Sequence, residues 1–188
     1  MTAPSRPTRR RFLKTSSFLV FSGASPWVAA ATFQTQPSSR ALAMDHTHTH
    51  EKVKLVYAVG RSYVPDALQH LNHFLRDHYT DTVGHMDPKL YDIMHRLRLA
   101  LKVNLPFHII SGYRSPHTNA MLRARGGGGV ARRSLHMEGQ AIDLRLPGVP
   151  LAELRDAALS LQAGGVGFYP NSRFVHIDTG AVRSWKGS

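Results

Sequence analysis

The sequence predicts an α+β domain: a small, mainly antiparallel sheet with helices packed on one side. Three observations carry that prediction. Apolar residues at three-to-four spacing mark helices in the first half of the domain. Short alternating or apolar strand segments gather late in the chain. The chain has 188 residues, of which 42% are hydrophobic, enough for one ordinary core.

The elements follow in order. Lys54–Val59 has strand character and ends at Gly60. Val64-Pro65-Asp66 opens a helix, with Leu68, Leu71, Phe74 and Leu75 on one face. Thr80 to His85 reads as loop. Asp87-Pro88 starts a second helix, because Asp can cap the freed amides and Pro suits the first turn. Its core face is Leu90, Ile93, Met94, Leu97 and Leu101. Phe107–Ile110 is a short strand, and Pro116 begins a short helix. Gly126–Gly129 reads as a mobile loop beside Arg132 and Arg133, in the position of a substrate gate. Ala141–Leu146 alternates as a strand, Leu151–Leu161 is a helix, and Val166–Tyr169 and Arg173–Asp178 are final strands.

The N-terminus reads as an export signal. Thr8-Arg9-Arg10-Arg11-Phe12-Leu13-Lys14 pairs twin arginines with an apolar couple. The apolar run from Phe18 to Ala31 follows, broken by Gly23 and Pro26. That run is too short and too punctuated for a stable membrane span. Cutting is expected after Ala29-Ala30-Ala31 or after Ala41-Leu42-Ala43. The organisation predicted is a twin-arginine signal at 1–43, a flexible His/Thr-rich linker at 44–52 and the functional domain at 53–188. Within the linker, Asp45-His46-Thr47-His48-Thr49-His50 reads as a floppy mature terminus rather than a metal-scavenging arm, since disordered ligands carry an ordering cost. The predicted location is the periplasm.

Charge narrows the function classes. Of 24 Lys+Arg, six lie in residues 1–43, where there is no acidic residue; 18 then face 12 Asp+Glu in the remainder. That surface is basic but not extreme, and suits an anionic polymer such as cell-wall material. A nucleic-acid binder is disfavoured by the export signal and by the scarcity of aromatics among the basic residues. No cysteine is present, so a structural zinc site of the thiolate kind is excluded.

The chemistry concentrates in Ser134–Asp143 and Phe174–Asp178. His136 enters the Ala141–Leu146 strand, and Asp143 lies on it. His176 and Asp178 share one face of a late strand, with Val175 and Ile177 on the other. If the two strands pair, His136, Asp143 and His176 converge. Two imidazoles and one carboxylate with a fourth position open describe a catalytic zinc site. The other histidines, among them His70, His73, His78, His85, His95, His108 and His117, read as core or surface residues.

These segments resemble the D-Ala-D-Ala carboxypeptidase-like zinc peptidases, peptidase family M15, which share their metal-site architecture with the Hedgehog signalling domain. The nearest branch is the twin-arginine-exported murein endopeptidase group once labelled a domain of unknown function. Ser111-Gly112-Tyr113-Arg114-Ser115-Pro116 with Asn119 carries the first motif. Ser134, His136, Gly139, Ala141 and Asp143 carry the second. Gly165–Tyr169 with Phe174–Asp178 carries the third, and Gly180, Arg183 and Trp185 fit the tail. The resemblance implies a Hedgehog/DD-peptidase fold and Zn2+ held by His136, Asp143 and His176. It also implies hydrolysis of amide bonds in peptidoglycan stem or crosslink peptides. Arg114 is the candidate for oxyanion or substrate-carboxylate binding. Relatives often place a general base two or three residues before the last ligand; here those positions hold Arg173 and Phe174. Asp178 is the nearest carboxylate and the first candidate base, Glu138 the second. Asp178 reads equally well as an orienter of a ligand histidine. The alternative function is a non-catalytic zinc- or cell-wall-binding module on the same scaffold.

Overall fold

A computed structural model describes residues 38–125 and 130–187. Residues 1–37 of the predicted twin-arginine signal, and the Gly126–Gly129 run predicted as a loop, lie outside the described residues.

The strands are β1 (Ser39–His46), β2 (Lys52–Val59), β3 (Ser62–Tyr63), β4 (Phe107–Ser111), β5 (Ala141–Arg145), β6 (Gly165–Tyr169), β7 (Phe174–Asp178) and β8 (Arg183–Lys186). The helices are α1 (Pro65–Phe74), α2 (Lys89–Ala100), α3 (Pro116–Ala124) and α4 (Leu151–Ser160). The strands join into one sheet in the order β3-β2-β1-β4-β5-β7-β6-β8. The pairs β1–β4 and β6–β8 are parallel and the others antiparallel. This is the α+β architecture the sequence predicts. Both edge strands are short, which limits edge-to-edge pairing with another chain.

Alternation within strands separates the core from the site. Ile142 and Leu144 of β5, with Val175 and Ile177 of β7, are buried in the core. On that side they join Leu71 and Phe74 of α1, Leu90, Met94 and Leu97 of α2, and Leu154 of α4. The intervening residues Asp143, His176 and Asp178 therefore point to the opposite face. The helix starts follow local chemistry. The Asp87 carboxylate accepts the Lys89 amide at 3.0 Å before α2. The Ser115 hydroxyl accepts the Thr118 amide at 3.2 Å ahead of Pro116 at the start of α3.

One part of the predicted organisation is corrected. Residues 44–52 are no flexible linker: Met44 and His46 lie in β1, and the chain turns directly into β2. β1 begins at Ser39, inside the predicted signal segment, and pairs with β2 on one side and β4 on the other. Leu42 is 1% and Met44 0% exposed. Arg40 pairs with Asp92 of α2 at 3.3 Å and lies over the Tyr57 ring. Burial of these apolar residues, together with a two-sided ladder, orders a segment whose composition reads as polar linker. A cut after Ala43 would sever this strand. β3 and β8 are likewise absent from the strands predicted by sequence, being too short to show a period.

Candidate metal centre

The Leu135–Glu138 turn, a single 3-10 turn, delivers His136. It ends at Gly139, whose φ of +65° is left-handed, and a Cβ there would collide with the His85 carbonyl. This turn folds the chain back, so that residues 136 and 143 meet as the sequence predicts. Asp143 and His176 face each other across β5 and β7. Beside them β4 carries a bulge: Ile109 opposes Leu144 and Ser111 opposes Asp143, leaving Ile110 unpaired.

Three potential ligand atoms converge. His136 Nε2 lies 3.3 Å from Asp143 Oδ1 and 3.3 Å from His176 Nδ1. His176 Nδ1 lies 2.8 Å from Asp143 Oδ1. The three residues are all buried, and this is the group of potential metal ligands found among the described residues. Ligands about 2.0–2.2 Å from a tetrahedral zinc are spaced ~3.3 Å from one another, so the donor set fits the ion.

Each imidazole is oriented from behind. His136 Nδ1–H donates to the Gly112 carbonyl at 2.7 Å, which leaves Nε2 as the free lone pair. His176 Nε2–H donates to Asp178 Oδ2 at 3.1 Å, which directs Nδ1 to the centre. Asp178 in turn is fully engaged. Arg183 reaches its two oxygens at 3.0 and 2.6 Å, and the amides of Gly165 and Gly180 each donate to Oδ1 at 2.9 Å. Its side chain has no exposed surface.

The charges follow this geometry. Burial favours the neutral form of His136 and pushes its pKa down. Burial acts the same way on His176, but hydrogen bonds to Asp143 and Asp178 outweigh it and lift the pKa to about 9. Burial would raise both carboxylates, yet each is held well below the ordinary range. For Asp143 the cause is His136 and His176; for Asp178 it is His176, Arg183 and the two amides.

The remaining predicted residues separate. Arg114 is at the centre: its guanidinium lies 3.7 Å from Asp143 Oδ2, and its amide donates to the His136 carbonyl at 3.1 Å. Glu138 is exposed and lines no part of the cleft. A cavity of about 420 Å³ opens over the three ligands. Trp185 lies beside His176, ring centroids 5.2 Å apart, and donates its indole N–H to the Tyr169 hydroxyl at 2.9 Å. Gly167, the β-partner of His176, leaves room for that indole, which a Cβ would meet. Arg133 adds positive charge to the same cavity, and Arg183, paired with Asp178, lines its wall. Neither Asp178's cage nor the Trp185–Tyr169 wall has a periodic signal in the sequence; the resemblance of the tail is what points to Arg183 and Trp185.

Comparison with known proteins is consistent with this arrangement. The profile of the family described as "Peptidoglycan L,D-endopeptidase MepK" matches residues 34–185. The protein of that name from Escherichia coli strain K12 is 44% identical over 177 residues, covering 94% of this chain and 96% of its own. The "Probable peptidoglycan L,D-endopeptidase MepK" of Haemophilus influenzae is 41% identical over 152 residues, covering 80% and 81%. No solved structure matches. With its three motifs converging on one centre and its match running through nearly the whole described fold, the chain belongs to the peptidoglycan L,D-endopeptidase MepK family, a branch of the M15 peptidases.

Proposed function

We propose that this protein is a zinc-dependent peptidase that hydrolyses amide bonds in peptidoglycan crosslink or stem peptides, exported to the periplasm by the twin-arginine route. The observation that carries the reading is the His136–Asp143–His176 donor set, three buried residues that line a cleft. The names of the relatives at 44% and 41% identity point to peptidoglycan as the substrate. The leader motif Arg9–Lys14 supports export. Among the described residues no helix is long and apolar enough to cross a membrane.

His136, Asp143 and His176 would hold the zinc ion, which when bound would supply Lewis acidity for carbonyl polarisation and water activation near neutral pH. The protein contributes orientation and charge. Gly112 and Asp178 fix the imidazole tautomers so that both lone pairs face the ion. Arg114 presents a planar, permanently charged fork beside Asp143, placed to bind negative charge developing on the carbonyl oxygen or a substrate carboxylate. Asp178 acts as a positioning residue for His176, because its oxygens already accept from His176, Arg183 and two amides. A carboxylate so saturated and so strongly acidic is a poor proton acceptor. Tyr169, Phe174 and Trp185 wall the cleft and restrict water.

A second reading, a non-catalytic wall-binding module, draws on one observation: among the described residues, Asp143 apart, no carboxylate lines the cavity over the candidate ligands. Purified sacculi digested with the zinc-loaded protein separate the two. Mass analysis should show cleaved crosslinks, abolished by a chelator and restored by zinc. Binding to sacculi with no released muropeptide would establish the module instead.

A further inference from the structure

The cleft continues past the metal centre. A second cavity of about 190 Å³ shares Arg114, Asp143 and Phe174 with the first, and lies against Tyr113, His48 and His78. The histidines come from the segment that sequence reads as a floppy terminus and from the loop after α1. Neither has a part in the metal centre.

This second lobe is built, not incidental. His46, 2% exposed, accepts the amides of His48 and Thr49 on Nδ1 at 3.2 and 3.3 Å, which shapes the β1–β2 turn. Thr47 ties the same turn to β4 through its amide and hydroxyl, both donating to the Ile109 carbonyl at 2.9 Å. The turn sets the His48 ring parallel to His78, with centroids 4.1 Å apart and planes 2° apart. On the other side Asp77, 1% exposed, accepts the Ser115 amide at 2.8 Å and the Tyr79 amide at 3.0 Å. The Tyr113 amide donates to the Leu75 carbonyl at 2.8 Å. Three loops are thus locked around the lobe before any ligand arrives.

Its charge differs from that of the first lobe. Burial, and then the neighbouring imidazoles, push His46 and His78 down to about 4, so both are neutral at working pH. The Asp77 carboxylate is spent on backbone amides. The ring nitrogens of His48 and His78 make no hydrogen bond among the described residues, so they are available to a ligand. The first lobe instead carries Arg133, with Arg183 held against Asp178 at its wall. Arg114 stands between the two.

Resting on the peptidase reading above, we propose that the His48–His78 lobe is a substrate subsite that takes an uncharged, amide-bearing part of the peptide on one side of the scissile bond. The carboxylate-bearing part goes to the arginine-rich lobe. Beyond Arg114 and Asp143 at its boundary with the first lobe and the amide-held Asp77, the lobe offers the His78 imidazole and the rings of Tyr79, Tyr113 and Phe174, which can pair or pack with a peptide amide but bring no charge to offset an ionised group. The cleft therefore reads the polarity of the peptide across the metal.

The test uses the zinc-loaded protein with His48→Ala, His78→Ala, the double variant and His78→Gln. The substrates are synthetic crosslinked peptides carrying a carboxylate or its primary amide on one or the other side of the cut bond. In the double variant, KM and the calorimetric Kd for product peptide should rise about tenfold, the size of one or two lost neutral hydrogen bonds. The kcat value, zinc content and melting temperature should change little, and His78→Gln should recover part of the loss. Amidation should improve KM on one side of the bond and harm it on the other, and only the improvement should vanish in the double variant. A double variant with intact zinc and fold and an unchanged KM and Kd overturns the subsite. So does wild-type protein indifferent to which side is amidated. Zinc-loaded wild type that cleaves no peptide at all overturns the peptidase reading instead.

Discussion

His176 has a carboxylate at each ring nitrogen, and the two live in different surroundings. Asp143, at Nδ1, keeps one oxygen on the convergence point of the imidazoles and turns the other towards Arg114. Asp178, at Nε2, is enclosed by Arg183 and the amides of Gly165 and Gly180. The residue type is the same and so is the partner. What differs is what stands behind each carboxylate. On the proposed reading the open one would share an ion and meet a substrate, while the enclosed one would only aim an imidazole. A carboxylate's role is thus set by its unspent lone pairs rather than by its place beside a histidine.

Perturbing each side in turn sharpens that contrast. The largest effect is expected from His176→Ala, which removes the group both carboxylates hold: bound zinc by elemental analysis and muropeptide release should both fall to background. Arg114→Ala, on the open side, should retain zinc while kcat/KM drops roughly 100- to 1000-fold, the range for removing one transition-state donor. Asp178→Ala, on the enclosed side, should weaken zinc binding about 10- to 100-fold, with activity recovering as zinc is raised. Activity lost at full zinc occupancy would instead make Asp178 the proton acceptor.

A pH titration probes both sides at once. The His176 pKa is raised from 6.5 to about 9 in the metal-free fold. Its contribution to the stability of that form is fully present below pH 6.5 and is lost as pH rises through about 9. Zinc must displace this proton, so zinc affinity should climb over the same interval while metal-free stability declines, as calorimetry at several pH values would record. The smallest effect belongs to Glu138→Gln, which touches neither carboxylate; turnover should stay within about twofold, as for an ordinary surface substitution.

The convergence of the three candidate ligands was legible in the sequence because period-two alternation and motif order report directly on a strand face. Asp143 and His176 need only the β5–β7 pairing to meet. The helix starts at Pro65, Asp87 and Pro116 were legible for a similar reason, since capping and proline preferences are local. The role of Asp178 was not, because its cage gathers Gly165, Gly180 and Arg183 through sheet pairing that no short window contains. β1 was hidden differently. Thr and His alternating through residues 46–50 look like a solvated tail, and only the long-range pairing of residues 44–46 with 107–109 gives them order. His48 and His78 drew no attention as single histidines, because a stacked pair is visible only once the turn is folded.

β1 also sets a boundary for maturation. As an interior member of the sheet it carries ladders on both flanks, so under the proposed export a protease working inward from the N-terminus would meet paired backbone at about Ser39. Of the two predicted cleavage sites, only the one ending at Ala31 would leave the strand whole, and trimming beyond it would stop where the ladder begins. The terminus of the proposed exported form would then be written by folding itself: cleavage would have a stop built from hydrogen bonds, which a chain arriving unfolded would lack.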